Sequence, residues 1–185
     1  CEIICGIQKP TTGKIYLNES DFTDMSIRER IHNGIGYVPS DRQKDGLVMD
    51  MTLSENLLLK SSYDPDWVTN GMINQKKLNR FSEKAISDFE IKAPGAFTRL
   101  RDLSGGNQQK VVLAREAVIG EKLMVFDQPT RGLDLGAIDN VHKAILSEKS
   151  KGNAVLLIST ELSEILELSD RYSVIYKGAL QGTYH

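Results

Sequence analysis

The stretch LSGGNQQKVVLAREAVIGEKLMVFD, residues 103–127, decides how this chain is read. Its first half sets Ser-Gly-Gly ahead of a helical pattern carrying Val111, Ala114 and Val118. Its second half is a short continuous apolar run, 123–126, that ends on Asp127. Gly105 and Gly106 let backbone come close to a bound group, and they stand where a helix begins. Free N–H groups and the positive end of the helix dipole favour an anion there, and Ser104 adds a hydroxyl at the same place. A Ser/Gly helix start with no ligand looks the same, so the strand that follows matters. In an open parallel sheet ligands gather at the carboxyl ends of strands, where an aspartate can reach a divalent cation or its water. A lone aspartate at a strand end is also a common turn or cap residue. Here Pro129, Gly132 and Asp134 follow in a tight loop, and a second buried strand ending in Ser159 and Thr160 lies downstream.

Outward from this stretch, short β-type runs alternate with helical patterns, as in an α/β fold with a mainly parallel sheet. Strands are expected at 14–17 and at 35–38, the latter stopped by Pro39. The runs 123–126 and 154–158 read as fully buried strands, being continuous and apolar. Ser26 with Glu29 and Thr52 with Glu55 form capping boxes that open two helices, and Gly34 sits at the C′ position of the first. Leu78, Phe81, Ala85 and Phe89 recur at helical spacing over 74–89. A hairpin over 172–184 turns at Lys177 and Gly178. The region 44–104 is helical in character with no convincing strand, which suggests a helical lobe inserted into the sheet domain. The first residues, CEIICGIQKPTTG, read as the last turns of a helix that ends near Gly6, in a chain that is a fragment.

Composition excludes several classes. A net charge of -2 gives no basic face for nucleic acid, and no apolar run approaches the roughly 18 residues needed to span a membrane. Cys1 and Cys5 have no neighbouring His or Cys in sequence and are not expected to form a metal site or a disulfide. His32, His142 and His185 are expected at the surface. Arg131 and Arg171 are expected to hold loops at the carboxyl edge, and Trp67 with Tyr63 to pack a loop on the helical lobe.

LSGGNQQK, then VFDQPTRGLDLGA, then VLLISTELSEILELSDR, in this order and spacing, resemble an ATP-binding cassette (ABC) transporter ATPase. LSGGNQQK with PTRGLD is similar to the second half of tandem ATPases that drive simple-sugar-type importers. DQPTRGLDLGAID with VHKAI looks most like the nucleoside-uptake branch. The resemblance covers essentially the whole chain. It implies a P-loop NTPase fold of the ABC ATPase type, with helices on both faces of a partial parallel sheet and an inserted helical subdomain. It also implies three parts: 1–43, a nucleotide-binding core lacking the phosphate loop; 44–108, the helical subdomain with the signature; and 109–185, the rest of the core.

By the same resemblance, Ser104, Gly105, Gly106, Gln108 and Asp134 bind nucleotide, Asp127 serves Mg²⁺, and the catalytic positions are Ser40, Asp127, Gln128 and Thr160. Three of these depart from the family pattern. Ser40 stands for a glutamine, Gln128 for the glutamate that polarises the attacking water, and Thr160 for a histidine at the γ-phosphate. The phosphate loop G-x-x-x-x-G-K-[ST] is not in the sequence and falls just upstream of Cys1 by resemblance. An amide can hold a water but cannot take its proton, and loss of a general base costs about 10²–10⁴ in rate. Loss of the histidine adds to that cost.

The implied protein is the ATP-binding subunit of an ABC importer for nucleosides. It donates its signature to the other half's ATP site, while its own site is catalytically degenerate and the fragment alone inactive. ATP and Mg²⁺ are the implied cofactors. The implied partners are the other nucleotide-binding half (head to tail), integral-membrane permease subunits reached through 41–58, and, indirectly, an extracellular solute-binding protein; no nucleic acid is expected. The location would be peripheral, on the cytoplasmic face of the membrane. The alternatives are a sugar importer ATPase of ribose or galactose type, a non-transport ABC ATPase, and a regulatory pseudo-ATPase scaffold.

Overall fold

The structure is a computed structural model that describes residues 1–69 and 71–185. Residues 1–7 form a turn closed as helices usually end. The Ile7 amide donates to the Glu2 carbonyl at 2.8 Å, the Gly6 amide to Ile3 at 3.2 Å, and Gly6 takes φ +80. Two-residue strands β1 (Tyr16–Leu17) and β2 (Ser20–Asp21) follow as an antiparallel pair, shorter than the strand expected over 14–17. Helix α1 (Ile27–His32) and helix α2 (Leu53–Leu58) both begin at the expected capping boxes. The Ser26 and Thr52 hydroxyls each accept from the backbone amide three residues on, and Glu29 and Glu55 reach back to the cap amides. Between them lies β3 (Ile35–Val38) and a turn, Arg42–Gly46, wound with wide π spacing and capped by Asp41.

The middle region is not strand-free. A two-residue hairpin, β4 (Val68–Thr69) with β5 (Met72–Ile73), precedes helix α3 (Gln75–Asp88); the loop reading over 61–71 includes Asn70, which lies outside the described residues. Trp67 packs against Phe81 of α3 with ring centroids 5.1 Å apart and the rings tilted by 60°. Tyr63 instead takes the Arg28 guanidinium over its ring at 4.2 Å. A 3₁₀ turn, Leu100–Asp102, leads into helix α4 (Gly105–Ile119).

Strand β6 (Leu123–Asp127), helix α5 (Leu135–Ser150), strand β7 (Ala154–Ile158) and helix α6 (Leu162–Leu168) follow, and β8 (Tyr172–Tyr176) with β9 (Ala179–Tyr184) closes the chain as the expected hairpin. The sheet that organises the molecule is parallel, in the order β3-β6-β7. Central β6 is buried from Met124 to Phe126. Strand β7 is not fully buried as its apolar run suggests: Ala154 is exposed and Val155–Ile158 are half-buried. The strand pairs on one side only among the described residues, so its apolar side chains are only part covered.

One apolar cluster joins Val38, Met124 and Phe126 of the sheet to Val111–Ala114 of α4, Val141 and Ile145 of α5, and Leu53, Leu57, Ala85, Leu100 and Leu103 of the middle region. The middle therefore shares the sheet's core. Arg30 and Glu116 are among the charges buried in this frame. All five N–H groups of Arg30 donate to backbone carbonyls, those of Ile3, Ile4, Phe22, Thr23 and Met25, at 2.6–3.0 Å. Glu116 is fully buried and accepts from Lys60 Nζ at 2.7 Å, Arg115 Nε at 2.8 Å and the Tyr37 amide at 3.0 Å. Burial alone would raise its pKa, but the Lys60 and Arg115 charges and these hydrogen bonds outweigh it and hold the carboxyl below its ordinary range.

His32 and His185 are exposed as expected. His142 is not a surface residue: its side chain is 15% exposed and its Nε2 lies 3.0 Å from Glu164, joining α5 to α6. No helix among the described residues is long and apolar enough to cross a membrane.

Candidate functional site

The register of the sheet brings the four residues expected to be catalytic to one edge. Val38 pairs with Phe126 and Phe126 with Leu157, so Asp127, the last residue of β6, and Ser40, Gln128 and Thr160, just beyond their strands, lie at the carboxyl ends of adjacent strands. Two of them touch. The Gln128 side-chain oxygen accepts from the Thr160 amide at 3.3 Å and from its hydroxyl at 3.2 Å. The Gln128 amide continues the ladder, donating to the Ile158 carbonyl at 2.8 Å. Gln128 takes φ +48, the left-handed region. A non-glycine residue holds that conformation only where its surroundings fix it, and here the Ile158 and Thr160 contacts do so.

Asp127 is half-buried, and no hydrogen bond or ion pair engages its carboxylate among the described residues. Burial pushes the Tyr37 phenol well above its ordinary value, and the charge of Asp127 adds to that push. Among the described residues no three His, Cys, Asp or Glu side chains converge to hold a metal ion. A single free carboxylate is nonetheless what a Mg²⁺ held mainly by nucleotide phosphates and waters requires, and Asp127 fits that use.

The second cluster lies at the start of α4. Ser104 is the N-cap: its Oγ accepts from the Asn107 side-chain amide at 2.9 Å and, more weakly, from the Asn107 backbone. Asn107 in turn accepts from the Lys92 amide at 2.8 Å. Ser104 is exposed and Gly105 and Gly106 are half-buried at the start of a 15-residue helix, whose first amides have no carbonyl partner within the helix. Both glycines are closely approached by side chains. A Cβ at Gly106 would meet the Ala137 Cβ at 3.1 Å, and one at Gly105 would meet the Arg42 guanidinium at 2.6 Å.

Gln108 points the other way. It is 3% exposed, donates to the Leu100 and Leu103 carbonyls at 3.0 Å each, and accepts from Gln43 at 2.9 Å. Its visible work is to bind the helix start to the 3₁₀ turn before it. Asp134 is the N-cap of α5, accepting from the Ala137 amide at 2.9 Å, and its side chain is exposed.

Two residues that sequence reasoning missed hold the intervening loop. Buried Gln109 donates to the Pro129 carbonyl at 2.9 Å, and Arg42 donates to the Arg131 carbonyl at 3.2 Å. Arg131 thus serves this loop through its backbone, while its own side chain and that of Arg171 are exposed. The signal for Gln109 was present: two glutamines in tandem on a helix that runs, after Lys110, into the apolar residues Val111–Ala114.

The profile of the ABC transporter family matches residues 1–131. The chain is 41% identical to the nucleoside import ATP-binding protein NupA of Lactococcus lactis subsp. cremoris (strain MG1363) and 40% identical to the guanosine import ATP-binding protein NupO of Bacillus subtilis (strain 168), each over 97% of its own length. It is 37% identical over 98% of its length to the ribose import ATP-binding protein RbsA 2 of Escherichia coli O157:H7. The chain spans 35% of the length of these relatives. Among solved structures, a nucleotide-free ATP-binding cassette from an ABC transporter superposes with a TM-score of 0.81 at 23% identity, covering 98% of this chain and 73% of that one, which establishes a shared fold.

Proposed function

The chain belongs to the ABC transporter family, and we propose that it is part of the second nucleotide-binding half of a tandem importer ATPase that moves nucleosides. One observation carries this reading. The signature end of α4 is open, with Ser104 exposed, whereas at the carboxyl edge Gln128 and Thr160 are hydrogen-bonded to each other. By the family resemblance those two positions elsewhere hold a glutamate and a histidine that act on the water and the γ-phosphate. An amide and a hydroxyl cannot do that proton and charge work.

In this reading the first amides of α4, with the Ser104 hydroxyl, close over the nucleotide held by the other half's phosphate loop. The helix dipole and N–H groups stabilise charge on the transferring phosphoryl group. Gln108 supports that end from inside, and Asp134 fixes the start of α5 beside it. Asp127 is the residue that would hold Mg²⁺, which would offset phosphate charge. Ser40, Gln128 and Thr160 form a cis edge that turns over slowly. The organisation is 1–43 and 109–185 as nucleotide-binding core and 44–108 as helical subdomain. Permease subunits dock near 41–58, on the cytoplasmic face, and a separate binding protein delivers the solute.

The nucleoside assignment is supported by the two import proteins at 40–41% identity. A sugar importer is the second reading, favoured by the ribose import relative at 37%. Uptake by cells carrying or lacking the full-length gene separates them: labelled guanosine should enter only with the gene present, and gene-dependent entry of ribose instead would replace the nucleoside reading. Failure of the full-length protein to sediment with membranes would remove the importer reading altogether.

A further inference from the structure

The turn Arg42–Gly46 lies between the two parts of the face just described. We propose that Arg42 is a positioning residue that holds the start of α4 and the loop 128–134 in one fixed relation, so that signature and loop meet the other half's nucleotide as a single surface. This rests on the donated-signature reading above.

The geometry is specific to a guanidinium. Arg42 Nη1 donates to the Arg131 carbonyl at 3.2 Å, while Nη2 occupies the space a Cβ on Gly105 would fill, 2.6 Å from it. A planar fork can touch both places at once, and an ammonium cannot. The turn that carries Arg42 is itself fixed to α4. Asp41 Oδ1 accepts from the Gln43 and Lys44 amides at 3.1 Å, and Gln43 Nε2 donates to Gln108 at 2.9 Å. Gly46 packs under Pro39 and against Val112, where a Cβ would meet them at 3.2 and 3.4 Å. The turn therefore grips α4 at 105, 108 and 112.

Two features argue against a merely stabilising arginine. Its Nε is shut away from solvent without a hydrogen-bond partner, so the side chain is not placed to satisfy its own donors. Its positive charge also sits beside the positive end of the α4 dipole, which is unfavourable until an anion docks there.

The test uses the full-length transporter in membranes, measuring ATP turnover and KM for the wild type, Arg42→Ala, Arg42→Lys, Gly105→Ala and the Arg42→Ala/Gly105→Ala double variant. Both Arg42 variants should lower kcat by about 10- to 100-fold with little change in KM, the signature of misplaced rather than missing binding groups. Gly105→Ala should act by displacing Arg42, so the double variant should lose no more than the worse single one. Wild-type turnover in Arg42→Ala, full turnover in Arg42→Lys, or losses that multiply in the double variant would each overturn the proposal. Ser104→Arg run in parallel separates the two levels. If it abolishes turnover while Arg42→Ala does not, the Arg42 proposal alone fails; if it too leaves turnover intact, the donated-signature reading fails and takes the proposal with it. Equal melting temperatures of Arg42→Lys and the wild type exclude misfolding as the cause of its loss.

Discussion

The two ends of α4 handle polar groups in opposite ways. At its start, Ser104 is exposed and Gly105 and Gly106 are only half-buried. Near its end, Arg115 and Glu116 are 3% and 0% exposed and spend their charges on each other, on Lys60 and on the Tyr37 amide. One helix thus carries an end kept available for a ligand and an end committed to the fold. The lesson is that chemistry-bearing residues a few turns apart should separate cleanly into those that change turnover and those that change stability.

The largest expected effect tests the committed end. Glu116→Gln leaves Lys60 and buried Arg115 facing a neutral amide, and breaking a buried ion pair by removing one partner costs about 3–5 kcal/mol. Urea unfolding followed by circular dichroism should show it; a change under about 1 kcal/mol would mean that the network behaves like an exposed one. Next comes the open end. Ser104→Arg in the full-length protein should cut ATP turnover by about 10²–10³ and stability by only about 1 kcal/mol, the worth of an N-cap. If stability falls as far as it does for Glu116→Gln, the contrast between the two ends is gone.

An acid titration sharpens the same contrast. The folded-state pKa of Glu116 lies below the ordinary glutamate value, so near that value the unfolded chain binds more protons than the folded one, and unfolding free energy rises with pH. Stability from this group is present above the unfolded pKa and is lost as pH falls through the folded one. Glu29 and Glu55, held low by their capping boxes, act in the same direction. Melting temperature should drop below about pH 4.5, with a shallower drop in Glu116→Gln; an identical slope would show that Glu116 does not carry it. The smallest effect is at the cis edge. Gln128→Glu alone should raise turnover of this half by less than about tenfold, because Ser40 and Thr160 remain. A larger gain would show the edge to be one substitution from full activity.

What could be read from the sequence was what is local. Both capping boxes, α3 and the 172–184 hairpin follow from residues three or four apart, or from a period sustained over many residues. The β1-β2 and β4-β5 hairpins, at two residues a strand, are too short to show any period. The apolar run of β7 looks the same whether one side of the strand is covered or both, so its half-burial was invisible. The candidate residues were legible as identities but not as orientations. Gln108 turns inward because the preceding 3₁₀ turn presents two carbonyls to it. Gln128 and Thr160, 32 residues apart, meet only through the β6-β7 register. Arg115-Glu116, two charges inside an apolar run, was a sign of a buried ionic network that went unread.

Arg30 gives a joint of a different kind from Glu116. All five of its N–H groups end on carbonyl oxygens, so no partner titrates and no opposing ion can be screened away. The attachment of residues 3–4 to α1 should therefore persist at low pH and high ionic strength, where carboxylate-based links loosen. Lysine, with three donors, would leave carbonyls without a partner at that point. The segment leading into α1 is in this sense wired for constancy, and the pH response of the molecule is left to the carboxylates.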